Sequence, residues 1–317
     1  MYLYHFGIRE LPFTLTPNTQ FFFGLPSHNE ALKVLQTALF SGEGFIKVTG
    51  EVGTGKTLVC RKLLNEMPKG FVTAYIPNPY LSPKELRHAV ASELQVDLPI
   101  GSDQQEFTQA IQERLVDIRK SGQAVVLIID EAQALPDESI EALRLMTNLE
   151  TESSKLMQVV LFGQPELNEK IAKPELRQLR QRITFSYHLS KMNTDQIFQY
   201  VNHRMGVAGY AKEQVLFSKR ICKHLNTASE GTPRLVNTIC HKALMLAFGE
   251  GKNKVSSKHI KLAAQDTEAA SKIPQTPWLA WTLPVATCAI VATGVYIHGD
   301  LSLPYQDLLS LVAEWRK

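Results

Sequence analysis

Apolar positions along the first 190 residues switch repeatedly between a strand-like and a helical period. Phe45-Ile46-Lys47-Val48-Thr49 is short and rich in β-branched residues and predicts a strand, and Leu58 to Leu64 carries apolar residues at helical spacing. Phe71 to Ile76, Met157 to Gly163 and Ile183 to Tyr187 predict further strands. Ala124 to Ile129 is apolar without relief, the pattern of a central parallel strand covered on both faces. Between them, Ser27-His28-Asn29-Glu30 reads as a capping box opening a helix to about Phe40, and Ser82-Pro83 opens another. Residues 105–120 and Glu138 to Asn148 complete the set. Strands alternating with helices imply a parallel sheet wrapped by helices, an α/β class. Residues 1–26, with Phe6, Phe13 and Phe21 to Phe23 among prolines, read as an extended segment lying across that domain.

After Asn193 the strand signal stops. Asn193 and Gln196 frame a helix start, and Val215 to Thr227, Pro233 to Phe248 and Ser256 to Ala270 read as helices of a small all-helical domain. Residues 273–299 then lack Asp, Glu, Lys and Arg. Trp278 to Ile297 gives 20 mostly apolar residues, about 30 Å of helix and enough to cross a bilayer core. Trp278, Trp281 and Tyr296 stand near its ends, as an aromatic belt would. A buried helix of the second domain is the alternative. In the tail, Tyr305, Leu308, Leu309, Val312 and Trp315 recur at helical spacing, for docking on a leaflet or partner or as a weakly ordered end. The expected division is therefore 1–190 nucleotide-binding core, 191–270 helical domain, 271–277 linker, 278–297 transmembrane helix and 298–317 short extracytoplasmic tail.

Composition narrows the function classes. A net charge of +3 over 317 residues argues against a dedicated nucleic-acid binder. The four cysteines, Cys60, Cys222, Cys240 and Cys288, form no C-x-x-C pair and give neither a zinc site nor a disulfide framework. Met1 to Phe6 shows no basic head before an apolar core, so no secretory signal is read.

The chemistry lies in Gly50-Glu51-Val52-Gly53-Thr54-Gly55-Lys56-Thr57, which fits the phosphate-loop pattern G-x-x-x-x-G-K-[ST] at every fixed position. Its glycines let backbone N–H groups wrap a phosphate. Lys56 can reach the β- and γ-phosphates and the Thr57 hydroxyl can ligate Mg²⁺, while the following helix, from Leu58, aims its positive end at the same anion. The strand before the loop and the helix after it are the context that this chemistry requires. The apolar run ends in Asp130-Glu131. Asp130 would hold Mg²⁺ opposite Thr57, and Glu131 would orient and polarise the attacking water. Capping of the next helix is the alternative for the two acids, and the upstream loop favours catalysis. This reading places Lys56 facing Asp130 across neighbouring edges of one buried sheet.

Together with Leu161-Phe162-Gly163-Gln164-Pro165-Glu166-Leu167, Leu179-Arg180-Gln181-Arg182-Ile183, Gly231-Thr232-Pro233-Arg234 and the opening Phe6-Gly7-Ile8-Arg9-Glu10-Leu11-Pro12-Phe13, these motifs resemble an AAA+ ATPase of the ExeA/GspA family over roughly residues 1–268. The resemblance implies a P-loop AAA+ core with a helical lid. It implies Gln164 as the polar sensor of the γ-phosphate, Arg182 as the trans arginine finger with Arg177 and Arg180 as rivals, and Arg234 as the second sensor. It implies that His28 and the aromatic segment flank the adenine. ATP and Mg²⁺ are the implied cofactors, and a homo-oligomeric ring or partial ring the implied assembly. The implied place is the bacterial inner membrane, single-pass, with the ATPase domain cytoplasmic. There the protein would hydrolyse ATP to drive assembly of a type IV pilus, of the mannose-sensitive haemagglutinin kind, or a type II secretion-like machine. Leu58, beside the loop, stands where many relatives carry threonine. That family has a larger extracytoplasmic part that engages the cell wall, so peptidoglycan binding is not carried over. Two rivals remain: a DNA-associated AAA+ regulator of the transposition or initiator kind, and a scaffold that binds ATP with little turnover.

Overall fold

The computed structural model describes residues 2–96, 104–148, 155–211 and 215–272. The elements run α1 Tyr2–Phe6, α2 Pro26–Phe40, β1 Phe45–Gly50, α3 Lys56–Asn65, β2 Phe71–Ile76, α4 Pro83–Glu93, α5 Gln104–Lys120, β3 Ala124–Ile129 and α6 Asp137–Met146. They continue with β4 Met157–Gly163, α7 Glu166–Ala172, α8 Arg177–Arg182, β5 Ile183–Leu189, α9 Thr194–Val207, α10 Lys219–Ser229, α11 Pro233–Gly249 and α12 Ser257–Gln265.

The five strands form one sheet in the order β2-β3-β4-β1-β5, with every pairing parallel. The apolar run of β3 shows why such a strand needs no polar positions. Val125, Leu127 and Ile129 enter the core shared with α4, α5 and α6. Val126 and Ile128 enter the opposite core, against α2 and α3. Successive side chains point to opposite faces, and here both faces are covered. β5, at the edge, alternates half-buried and exposed residues until Leu189.

α9 to α12 build a third core, joined by Tyr2, Phe6, Ile8, Phe13, Phe21 and Leu25 from the N-terminal segment. Side-chain caps open three of its helices. Asn193 and Gln196 close a capping box at α9, and Ser256 pairs with His259 at α12. Ser218 caps α10, which therefore begins at Lys219 rather than at Val215.

Two local expectations change. The segment 1–26 is not extended throughout, because α1 folds and buries Tyr2 and Phe6. The Ser27 capping box does not form: α2 starts at Pro26, with Leu25 as a cap that makes no side-chain hydrogen bond. Proline's preset φ starts the helix two residues earlier, which places Ser27 and His28 within the first turn, both buried.

The single-pass inner-membrane placement is corrected. Among the described residues no helix is long and apolar enough to cross a membrane. The longest, α5 and α11, have 17 residues each, and α5 carries charged residues along its length. The segment 278–297 that prompted the expectation, and the tail 298–317, lie outside the described residues.

Candidate active site

β1 ends at Gly50, and the chain turns through residues 51–55 into α3, whose first residue is Lys56. Gly53 and Gly55 have φ of +78° and +101°, where a side chain would be strained. Space excludes one as well. A Cβ on Gly53 would stand 2.7 Å from the Cβ of Arg234, and one on Gly55 would stand 2.9 Å from Cε1 of His28. The loop is thus held between α11 on one side and α2 on the other. Thr54 closes its turn by donating from Oγ1 to the Glu51 carbonyl at 2.8 Å. Lys56 is buried, and its Nζ donates to the carbonyls of Gly50 at 2.8 Å and Glu51 at 3.1 Å. Burial pulls its pKa down, against the pull of Glu131, Asp130, Glu51 and Glu166.

Asp130 stands just beyond β3 and is buried. The Thr57 hydroxyl lies beside it, and it accepts from the Glu131 N–H at 3.0 Å. Burial raises its carboxyl above the ordinary range, and those two groups and Lys56 oppose the rise. β1 and β3 are not neighbours, since β4 runs between them. Lys56 and Asp130 therefore meet across β4, not at adjoining strand edges; the loop and the first turn of α3 bridge the gap.

Glu131 takes a left-handed backbone, φ 53° and ψ 39°, uncommon for a residue with a side chain. Two amides hold its carboxylate. Gln164 donates to Oε2 from Nε2 at 3.0 Å, and Gln133 donates to the same oxygen at 2.6 Å. Gln133 also accepts from the Gln164 N–H at 3.0 Å, and its own carbonyl accepts from Lys170 at 2.8 Å. Burial alone would push the Glu131 carboxyl up, but the two amide bonds and Lys56 outweigh it and leave it below the usual range. Gln164 follows the last residue of β4 and places its side chain on Glu131.

His28 lies beneath the loop. Its Nε2 is 2.9 Å from the Thr54 carbonyl, and its ring stacks on Phe22. Nδ1 is buried without a partner among the described residues. Burial lowers its pKa, against the bond to Thr54. Arg234 lies in the first turn of α11, and its N–H donates to the Gly53 carbonyl at 3.2 Å. Arg177, Arg180 and Arg182 share α8. Arg182 is half-buried and the other two are exposed.

A cavity of about 300 Å³ joins these parts. One wall is Val52, Gly53, Gly55, Lys56, Thr57, Leu58 and Glu131. The facing residues are Thr14 to Asn18 of the N-terminal segment, Tyr200 and Arg204 of α9, and Pro233, Arg234 and Asn237 of α11. Gly50, Glu51, Thr54, Asp130 and Gln164 do not line the cavity. His28 does not line the cavity, so it supports the loop from below rather than flanking a base. None of the three α8 arginines lines it. Sequence reasoning missed Gln133, Thr14 to Asn18, Tyr200, Arg204 and Asn237. One signal was available: Ile197, Tyr200, Val201, Arg204, Met205 and Ala208 all fall on the buried stripe of one helix face, and an arginine there is out of place.

A loop between glycines that hold no Cβ, a lysine at a helix start, and a Thr–Asp pair beside it define the P-loop AAA class. Residues 37–171 match the AAA domain family. The chain is 39% identical over 295 residues to General secretion pathway protein A of Aeromonas hydrophila, an alignment covering 93% of this chain and 53% of that protein. These matches support the ExeA/GspA family of AAA proteins for this chain, which spans about half the length of this curated relative. Solved structures share the fold at low identity. Cdc6p from Pyrobaculum aerophilum is 22% identical with a TM-score of 0.63, over 80% of this chain and 70% of that one. Drosophila ORC bound to DNA is 17% identical with a TM-score of 0.60, over 99% and 83%. The Aeropyrum pernix ORC2 protein, in ADPNP–ADP complexes, is 15% identical with a TM-score of 0.58, over 83% and 74%.

Proposed function

We propose that this protein binds and hydrolyses ATP and uses the cycle to drive a cell-envelope secretion machine or the related assembly of a type IV pilus. The observation that carries the ATPase reading is that Lys56, Thr57 and Glu131 line the loop cavity together, with Asp130 beside Thr57 and Lys56. Gly53 and Gly55 take positive φ and press against Arg234 and His28, which keeps the loop in the tight turn whose backbone N–H groups can wrap a phosphate. Thr57 and Asp130 offer the hard oxygen pair that Mg²⁺ takes, and the ion neutralises phosphate charge when bound. Lys56 leaves the loop carbonyls for the phosphate oxygens. Glu131 orients a water and accepts its proton as the water oxygen attacks the γ-phosphorus and the bond to the β,γ-bridging oxygen breaks.

In this reading residues 1–190 are the catalytic core and 191–270 a lid, with Arg234 as the residue that ties lid position to the loop. Arg182 acts in trans on the next subunit of a homo-oligomer. Arg177 and Arg180 on the same helix remain its rivals for that role. Specific activity that stays flat as protein concentration rises would remove it. The secretion role is drawn from the Aeromonas relative's name, and the pilus role from the sequence resemblance. Likeness to origin-binding proteins extends to the fold alone and gives the DNA-bound alternative no support beyond that.

The test is calorimetric. ATP added to the full chain should release heat, and Lys56→Ala should weaken binding on the order of a hundredfold. Wild-type affinity in the Lys56→Ala protein would overturn the site.

A further inference from the structure

One cation in the cavity is not explained by phosphate chemistry. Arg204 is 5% exposed, yet it lines the same cavity as Lys56. Its Nε donates to the Pro12 carbonyl at 2.6 Å and its Nη1 to the Tyr200 hydroxyl at 3.0 Å. Its guanidinium lies 4.9 Å from the centroid of the Phe21 ring. None of the ion pairs among the described residues includes it. A charge taken out of water with no carboxylate beside it is costly, so its place on the cavity wall calls for a ligand.

The surroundings hold that side chain still. Tyr200 passes its own hydroxyl hydrogen to Oδ1 of Asn237 at 2.9 Å, and Asn237 donates to the Thr14 carbonyl at 3.4 Å. The relay fastens residues 12–14 to α9 and α11 and fixes the guanidinium between them. The Nε and Nη1 bonds use two of the five N–H donors an arginine carries, and an arginine carries no acceptor. Whatever it meets in the cavity must therefore present acceptors.

We propose that Arg204 recognises the nucleoside part of the bound nucleotide, donating to the ring-nitrogen edge of a purine, with Tyr200 and Asn237 as its positioning residues. The phosphate loop takes one portion of the ligand and this wall takes the other. The proposal rests on the nucleotide-binding reading given above.

The test compares two ligands on the full chain. ATP engages both walls, whereas inorganic tripolyphosphate engages the phosphate loop alone. Arg204→Gln should weaken ATP binding about tenfold or more while leaving tripolyphosphate within about twofold. If both affinities fall together, Arg204 only fastens the N-terminal segment and the proposal fails; it fails equally if neither changes. Should Arg204→Gln not fold, Arg204→Lys carries the same comparison, keeping the charge but losing the fork; its loss should again be confined to ATP. A wild-type chain that binds neither ligand overturns the nucleotide reading, and this proposal with it. Wild-type binding matched by both variants overturns this proposal alone.

Discussion

The two walls of the cavity are built in opposite ways. The phosphate wall is nearly all local: residues 50–58 supply the loop and the start of α3, and only Asp130, Glu131 and the amides of Gln133 and Gln164 come from farther along the chain. The facing wall is assembled from three distant stretches, and one of its bonds, Arg204 to Pro12, joins residues 192 positions apart. Chemistry that must be exact to the atom is encoded in a short motif, while the wall opposite depends on the packing of the third core. A contiguous motif can survive changes elsewhere in the chain; an assembled wall moves whenever that core moves.

Perturbations that separate the walls test this contrast. The largest effect belongs to Glu131→Gln, which should bind ATP normally and lose roughly 10²- to 10⁴-fold in turnover. The amide replaces the carboxylate but can still accept from Gln133 or Gln164, so the fold around it is kept. Steady-state phosphate release checks it, and turnover at the wild-type rate would end the assignment of Glu131 as base. Next comes the pairing of Lys56→Ala with Arg204→Gln. The first should weaken ATP and tripolyphosphate alike, the second ATP only, and two identical ligand profiles would erase the distinction between the walls. The smallest effect concerns the support beneath the loop. The His28 pKa lies below its ordinary value because the ring is buried. Its stabilising effect is therefore complete above the unfolded value of about 6.5. It declines as pH falls, because the unfolded chain takes up a proton that the folded ring resists, and it levels off below the lowered folded value. Thermal melts between about pH 7 and 5 should show this slope in the wild type and a shallower one in His28→Gln. Parallel slopes would mean that His28 does not titrate in this way.

What the sequence made legible follows the same division. Strand, loop and helix at 45–65 and the acid-tipped run at 124–131 could be read because hydrophobic period and motif spacing are local properties. Gln164 and Arg234 were reached through resemblance; Gln164 bonds to Glu131, and Arg234 bonds to Gly53 of the loop. Gln133 escaped because a glutamine two residues past an acid looks like any loop amide. Tyr200 and Asn237 read as an ordinary core tyrosine and a helix amide. His28 was misplaced because an aromatic-rich entry segment gives no sign of which ring faces the cavity and which lies under the glycines. The strand order was equally invisible: nothing local tells β1 that β4, rather than β3, will lie beside it.

The backbone bond from α11 to Gly53 has a mechanical consequence. α11 is 17 residues long, which makes it a rod of roughly 26 Å at 1.5 Å per residue. Its near end is bonded to the Gly53 carbonyl of the loop, and its far end carries the exposed Phe248. A pivot of roughly 10° at the pinned end would sweep the far end by roughly 4–5 Å. Were a bound phosphate to tilt the pinned end by that much, the far end would move by about the width of a side chain.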